Sequence, residues 1–98
     1  MLATMLGPEA LARAVAERAR ALRLHQNLTQ AGLAVAAGVS LGALKRFERT
    51  GEIAFVSLVR LAIALGATGE LETWFQAPRP QTLDELLARP KLRQRGRR

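Results

Sequence analysis

One glycine between two short helix-forming runs constrains this chain more than any other feature. In LTQAGLAVAAGVSLGALKRFE, Leu28 to Glu48, a first run opens at Thr29 and extends to about Ala37, Gly38 interrupts it, and a second run opens at Ser40 and extends to about Arg49. Thr and Ser suit helix starts because the side-chain oxygen accepts a hydrogen bond from a first-turn N–H that has no partner within the helix. Gly suits the break because a chain turning sharply after a helix passes through positive φ, where a Cβ is penalised. The residues in between are mostly Ala, Val and Leu, so the two helices can approach closely, and Ala34 sits where the second must cross the first.

The rest of the chain also reads as helical. Gly7-Pro8-Glu9 is a helix start, with Pro at the first helical position and an acid in the first turn. Leu11, Val15, Ala19 and Leu22 recur at spacings of four, four and three, which is one helical face, and the helix is expected to end near His25–Asn27. Thr50-Gly51 reads as a turn. A further helix is expected over Ala54–Leu65, stopping at Gly66, with Phe55, Leu58, Ala62 and Leu65 as its core face. Thr68 is then the expected cap of a short last helix reaching Trp74-Phe75. Hydrophobic residues make up 49% of the 98 residues and aromatics only 4%, so the core must be built from Leu, Ala, Val and Ile. There is no strand-like alternation, and the expectation is an all-α, compact five-helix domain over residues 1–75. Ala77-Pro78-Arg79-Pro80 breaks the chain, and residues 76–98 read as a Pro-containing, flexible basic tail.

Charge is unevenly placed. The net charge is +7, yet most of the excess lies in the tail, where Arg79, Arg89, Lys91, Arg93, Arg95, Arg97 and Arg98 face only Asp84 and Glu85. Such arms attract polyanions, nucleic acid first. There is no cysteine, which removes a disulfide framework and thiolate metal sites. The one histidine, His25, has no partner at ligand spacing, so neither a metal nor a cofactor is expected. Asp84 and Glu85 are adjacent and diverge on a helix, and no nucleophile stands with a base, so the reading is non-enzymatic. No apolar run approaches a membrane span, and no basic segment followed by an apolar one opens the chain, so a cytoplasmic protein is the default expectation.

Two short helices joined by a Gly-containing turn are the helix-turn-helix layout. Leu33, Val39, Leu44 and Phe47 are expected to point inward, which leaves Lys45 and Arg46 on the opposite face of the second helix of the pair, where phosphates or base edges are in reach. Here the chain resembles the Cro/repressor-like, or XRE-type, family, over about Val15 to Phe75. The residues that carry the resemblance are Arg18-x3-Leu22-Arg23, Leu28-Thr29-Gln30, Leu33-Ala34, Gly38-Val39-Ser40, Arg46-Phe47-Glu48 and Leu61-Ala62-x2-Leu65-Gly66. The resemblance implies a two-fold dimer on a double-stranded operator, with the third helix in the major groove. It implies that Gln30 holds a phosphate, that Leu41, Gly42, Lys45 and Arg46 fall at reading positions, and that Thr29, Ser40 and Arg49 flank them on the DNA face. It also implies an Arg23–Glu48 pair tying the first helix to the third.

Two departures from that pattern bear on function. Leu41 and Gly42 replace the polar residues common at the first reading positions; Leu can touch a thymine methyl and Gly has no side chain to read with, so hydrogen-bonded readout rests on Lys45 and Arg46, with DNA shape as a second source of specificity. Only Ser57 and Arg60 are polar between Ala54 and Leu65, and Val56, Arg60 and Ile63 share one stripe, so the fourth helix is expected to bury a second face in a dimer or another protein, together with Trp74 and Phe75. The Trp74-Phe75 end followed by a Pro-rich break and a basic tail is similar to HipB-type antitoxins, which implies a HipA-type kinase toxin as an alternative partner. A protein-interaction module that has lost DNA binding is the remaining alternative.

Overall fold

A computed structural model describes residues 7–78. The expectations for the N-terminal six residues and for the basic tail from Arg79 onward lie outside the described residues. Five helices follow one another among the described residues: α1 (Pro8–His25), α2 (Gln30–Ala37), α3 (Leu41–Thr50), α4 (Phe55–Leu65) and α5 (Gly69–Glu72). No strand occurs among the described residues.

Each helix boundary has a local cause. Gly7 precedes α1 in an extended conformation with Pro8 at the first helical position. The Thr29 hydroxyl accepts from the Gly32 N–H at 2.9 Å and the Ser40 hydroxyl from the Ala43 N–H at 3.0 Å, so both expected caps are formed. Gly38, Gly51 and Gly66 end α2, α3 and α4 at φ of 72°, 84° and 72°. Gly38 and Gly51 are needed for different reasons. A Cβ added at Gly38 would meet no atom within 4 Å, so only the backbone conformation demands glycine there. At Gly51 a Cβ would fall 2.7 to 2.9 Å from backbone atoms of Ala12 and Arg13, because the end of α3 is pressed directly onto α1.

α1 packs on α3, and α2 packs on both α3 and α4. The core formed between them contains Ala16, Leu33, Ala34, Leu44, Phe47, Leu61 and Leu65, with Val15, Ala19, Leu22, Val39, Ile53 and Leu58 packed around it. Leu33, Leu44 and Phe47 are buried, and Val39 partly so, as the spacing predicts. Ala34 is buried where α2 meets its neighbours. The Gln26 side chain donates 2.9 Å to the carbonyl of Leu65, one of the α4 carbonyls left without a helical partner. That bond joins the end of α1 to the end of α4.

Three expectations are corrected. Leu11, grouped with Val15, Ala19 and Leu22 on one helical face, is exposed, whereas those three are partly buried and the fully buried residues of α1 are Ala16 and Arg23. Phe55 is 59% exposed rather than core; Leu61 takes the inward position on α4, and the Phe55 ring instead stacks on Trp74 with centroids 6.4 Å apart. Thr68 occupies the N-cap position of α5, but its side chain does not cap. Its backbone is already helical and its hydroxyl accepts no cap bond, so α5 is a single turn that stops short of Trp74, and Phe75 closes the turn at φ 63°.

Candidate nucleic-acid interface

The outward face of α3 is set by what its inward face must bury. Leu44 and Phe47 point into the core, which turns Leu41, Gly42, Lys45, Arg46 and Arg49 to the surface. These are four of the four expected reading positions plus the flanking Arg49, presented on one exposed strip. Lys45 and Arg49 have no ion-pair partner among the described residues. Arg46 does: its guanidinium contacts the carboxylate of Glu52, both side chains being well exposed. Thr50 sets up that contact, since its hydroxyl donates to the Arg46 carbonyl at 2.8 Å and accepts from the Glu52 N–H at 3.1 Å.

A buried polar network joins α1, α2 and α3 behind this strip. Arg23 is only 6% exposed. Its Nε and Nη2 donate to the two carboxylate oxygens of Glu48 at 2.8 and 3.1 Å, and its Nη1 donates to the Leu28 carbonyl at 2.8 Å. Gln30 completes the set: its Nε2 donates 2.9 Å to Glu48 Oε1. Desolvation pushes the Glu48 carboxyl up, but hydrogen bonds from Arg23 and Gln30, with the positive charges of Arg23 and Arg20, outweigh it and hold Glu48 below the ordinary carboxylate range. Every buried side-chain nitrogen and oxygen among the described residues has a partner.

This network fixes Gln30. The resemblance casts Gln30 as a phosphate contact at the start of α2. One of its two amide hydrogens is committed to Glu48, and the other is left to donate outward. Thr29 and Ser40 are engaged as caps through their oxygen lone pairs, which leaves their hydroxyl hydrogens to donate. Gly38 links the turn to α4, because its carbonyl accepts from Arg60 Nη1 at 3.3 Å.

The partner surface of α4 is brought together only in part. Val56 and Ile63 are each 63% exposed on one stripe. Arg60, between them in that stripe, directs its guanidinium to the α2–α3 turn instead of standing free. Trp74 is half-exposed and Phe75 is 99% exposed, and Trp74 lies within ring contact of both Phe55 and Phe75. Sequence reasoning missed Phe55 here because the helical period assigned it to the core. It also missed Glu52 and Gln26, which are single polar residues with no local signal of their partners.

A shallow depression of about 300 Å³ is lined by Ala43, Arg46, Glu52, Ile53, Ala54 and Ser57. No group of three or more metal-ligating side chains occurs among the described residues. No described helix is long and apolar enough to cross a membrane.

Comparison with known proteins agrees with the geometry. A family model described as "Helix-turn-helix" matches residues 20–71, from the last third of α1 into α5. No curated protein matches the chain.

Proposed function

The chain belongs to the helix-turn-helix family of the Cro/C1, or XRE, type, a family of DNA-binding transcription regulators; from that premise we propose that it is a cytoplasmic, homodimeric, sequence-selective repressor that occludes a promoter. α3 enters the major groove, Lys45 and Arg46 reach base edges or phosphates, Arg49, Thr29 and Ser40 flank them, and Gln30 holds a phosphate at the start of α2. The observation that carries this reading is the Arg23–Glu48–Gln30 network. It sets α2 against α3 from behind while the opposite face of α3 is left to three exposed cations. The basic segment after Pro78 adds sequence-independent attraction to the phosphate backbone.

Selection of binding sites from a random duplex pool, followed by mobility-shift titration, tests the proposal. Arg46→Ala should cost on the order of 1–3 kcal/mol of specific binding, while Gln30→Ala should weaken all sequences about equally. Glu52→Gln should tighten binding, because Arg46 no longer has to leave an ion pair to engage DNA, and an exposed pair of this kind contributes little to stability. Unchanged affinity in both alanine variants would overturn the docking.

Dimerisation is argued from α4. Two large apolar side chains on one exposed stripe of α4, with Phe55 at the start of the same helix stacked on Trp74, suit a self-complementary face. Ile63→Glu should place two like charges near the two-fold axis and yield a folded monomer with weakened operator binding, since half-sites are read in pairs. Sedimentation decides: a dimer as tight as the wild type removes α4 from the interface.

The Phe55–Trp74–Phe75 row also favours a second reading, an antitoxin that represses its own operon and neutralises a HipA-type kinase toxin through this surface. Stable co-purification with a co-expressed kinase of that type, lost in Trp74→Ala, is the expected result for that reading. A protein-interaction module without DNA binding is what a failed site selection would leave.

A further inference from the structure

The N-terminal half of the reading strip has no hydrogen-bonding side chain. Leu41, the first residue of α3, keeps 37% of its surface exposed although it is a large apolar residue. Gly42 follows it, and the next outward residues, Lys45 and Arg46, come one turn later. Any base edge opposite Leu41 and Gly42 therefore meets only a branched aliphatic group and bare backbone, with the Ser40 hydroxyl at the cap just before them.

Gly42 itself has no explanation inside the protein. It lies within α3, its φ is not in the left-handed region, and an added Cβ would meet no atom within 4 Å. Alanine would fit there and would favour the helix, since glycine weakens a helix interior relative to alanine. A close approach of the α3 backbone to another surface gives a position without a side chain a use outside the chain.

The major groove offers an aliphatic side chain one projecting apolar group, the C5-methyl of thymine; apart from the small cytosine C5–H, the other groups on its floor are donors or acceptors that leucine cannot satisfy. We infer that Leu41 is a specificity-determining contact for a thymine methyl in each half-site, and that Gly42 lets the first turn of α3 sink far enough into the groove to make it. This rests on the DNA-binding reading above and deepens it by naming the base class read. Leu41 and Lys45 are one helical turn apart, about 6 Å along the axis, so the methyl lies within roughly two base pairs of the group that Lys45 engages.

Deoxyuridine tests this with a single methyl, because it pairs as thymidine does and lacks only the C5-methyl. Each thymine of the duplex obtained by site selection is replaced in turn by deoxyuridine and titrated with the full chain. The expected result is a loss of about four-fold at one position per half-site, the scale for burying one methyl, and little change elsewhere. Leu41→Ala should bind the thymine and uracil duplexes equally. Gly42→Ala should raise the melting temperature while weakening binding, a pair of opposite changes that a purely structural role for Gly42 would not produce. Tight binding with no sensitivity to deoxyuridine at any position overturns the inference and leaves the DNA-binding function standing, whereas failure to select any duplex overturns both. Should Leu41→Ala fail to fold, the deoxyuridine scan on the unaltered chain still decides.

Discussion

Gly51→Ala should destabilise the protein severely and lower its melting temperature sharply. The residue sits at φ 84°, where an L side chain costs about 1–2 kcal/mol in backbone energy alone. The added methyl would also stand 2.7 Å from the Ala12 carbonyl carbon and 2.8 Å from the Arg13 nitrogen. Those are helix backbone atoms, which cannot swing aside as a side-chain tip can. Relief requires α3 to lift from α1, and that opens the core around Ala16, Leu44 and Phe47. A total loss of roughly 3 kcal/mol or more is expected, a large share of the stability of a domain this small. Gly38→Ala is the control. It has nearly the same sign and size of φ and open space around the new methyl, so it should lose only about 1 kcal/mol, and the bulkier Gly38→Val somewhat more. Thermal unfolding of the variants side by side checks the comparison; equal losses would show that the contact with α1 is not what Gly51 provides.

Breaking the Arg23–Glu48 pair from one side should be the other severe change. Glu48→Ala leaves the buried guanidinium with the Leu28 carbonyl as its sole remaining partner in the network and frees the Gln30 amide. Removing one member of a buried, hydrogen-bonded pair costs about 3–5 kcal/mol, mostly because the other charge is left uncompensated. Arg23→Met with Glu48→Leu removes both charges and should recover most of that stability. The double variant should still weaken DNA binding, because Gln30 loses the partner that orients it. The pair also predicts an acid-labile component. The Glu48 carboxyl is held below its ordinary range when folded, so the folded state gains stability at pH above the unfolded carboxyl's titration. That gain should be lost as pH falls below the ordinary glutamate range, about 4.3, and through the depressed folded value. Chemical denaturation at neutral and acid pH should show this loss in the wild type and a smaller one in the double variant.

The linear order of residues by itself determined the helices and the turn between α2 and α3. Thr29, Ser40, Gly38 and Gly66 are local signals: a cap or a left-handed residue acts within four residues of itself, so reading them needs no knowledge of the fold. The outward face of α3 was legible for the same reason, since burying Leu44 and Phe47 fixes where Lys45 and Arg46 point. The Arg23–Glu48 pair, separated by 25 residues, was reached only through resemblance to a family, because nothing local joins its members.

Tertiary structure alone decided the rest. Thr50-Gly51 reads as one more turn, and only the packing of α3 on α1 makes a methyl there collide with backbone. Phe55 has the right period for the core of α4, but the crossing of α2 over that helix favours Leu61 and leaves Phe55 to Trp74. Arg46 is a free cation in sequence and an ion-paired one in space, because the turn after α3 carries Glu52 back beside it. Periodicity says which residues share a face of a helix. Which part of that face is covered depends on where its neighbours cross, and that is set by side-chain volumes on other helices.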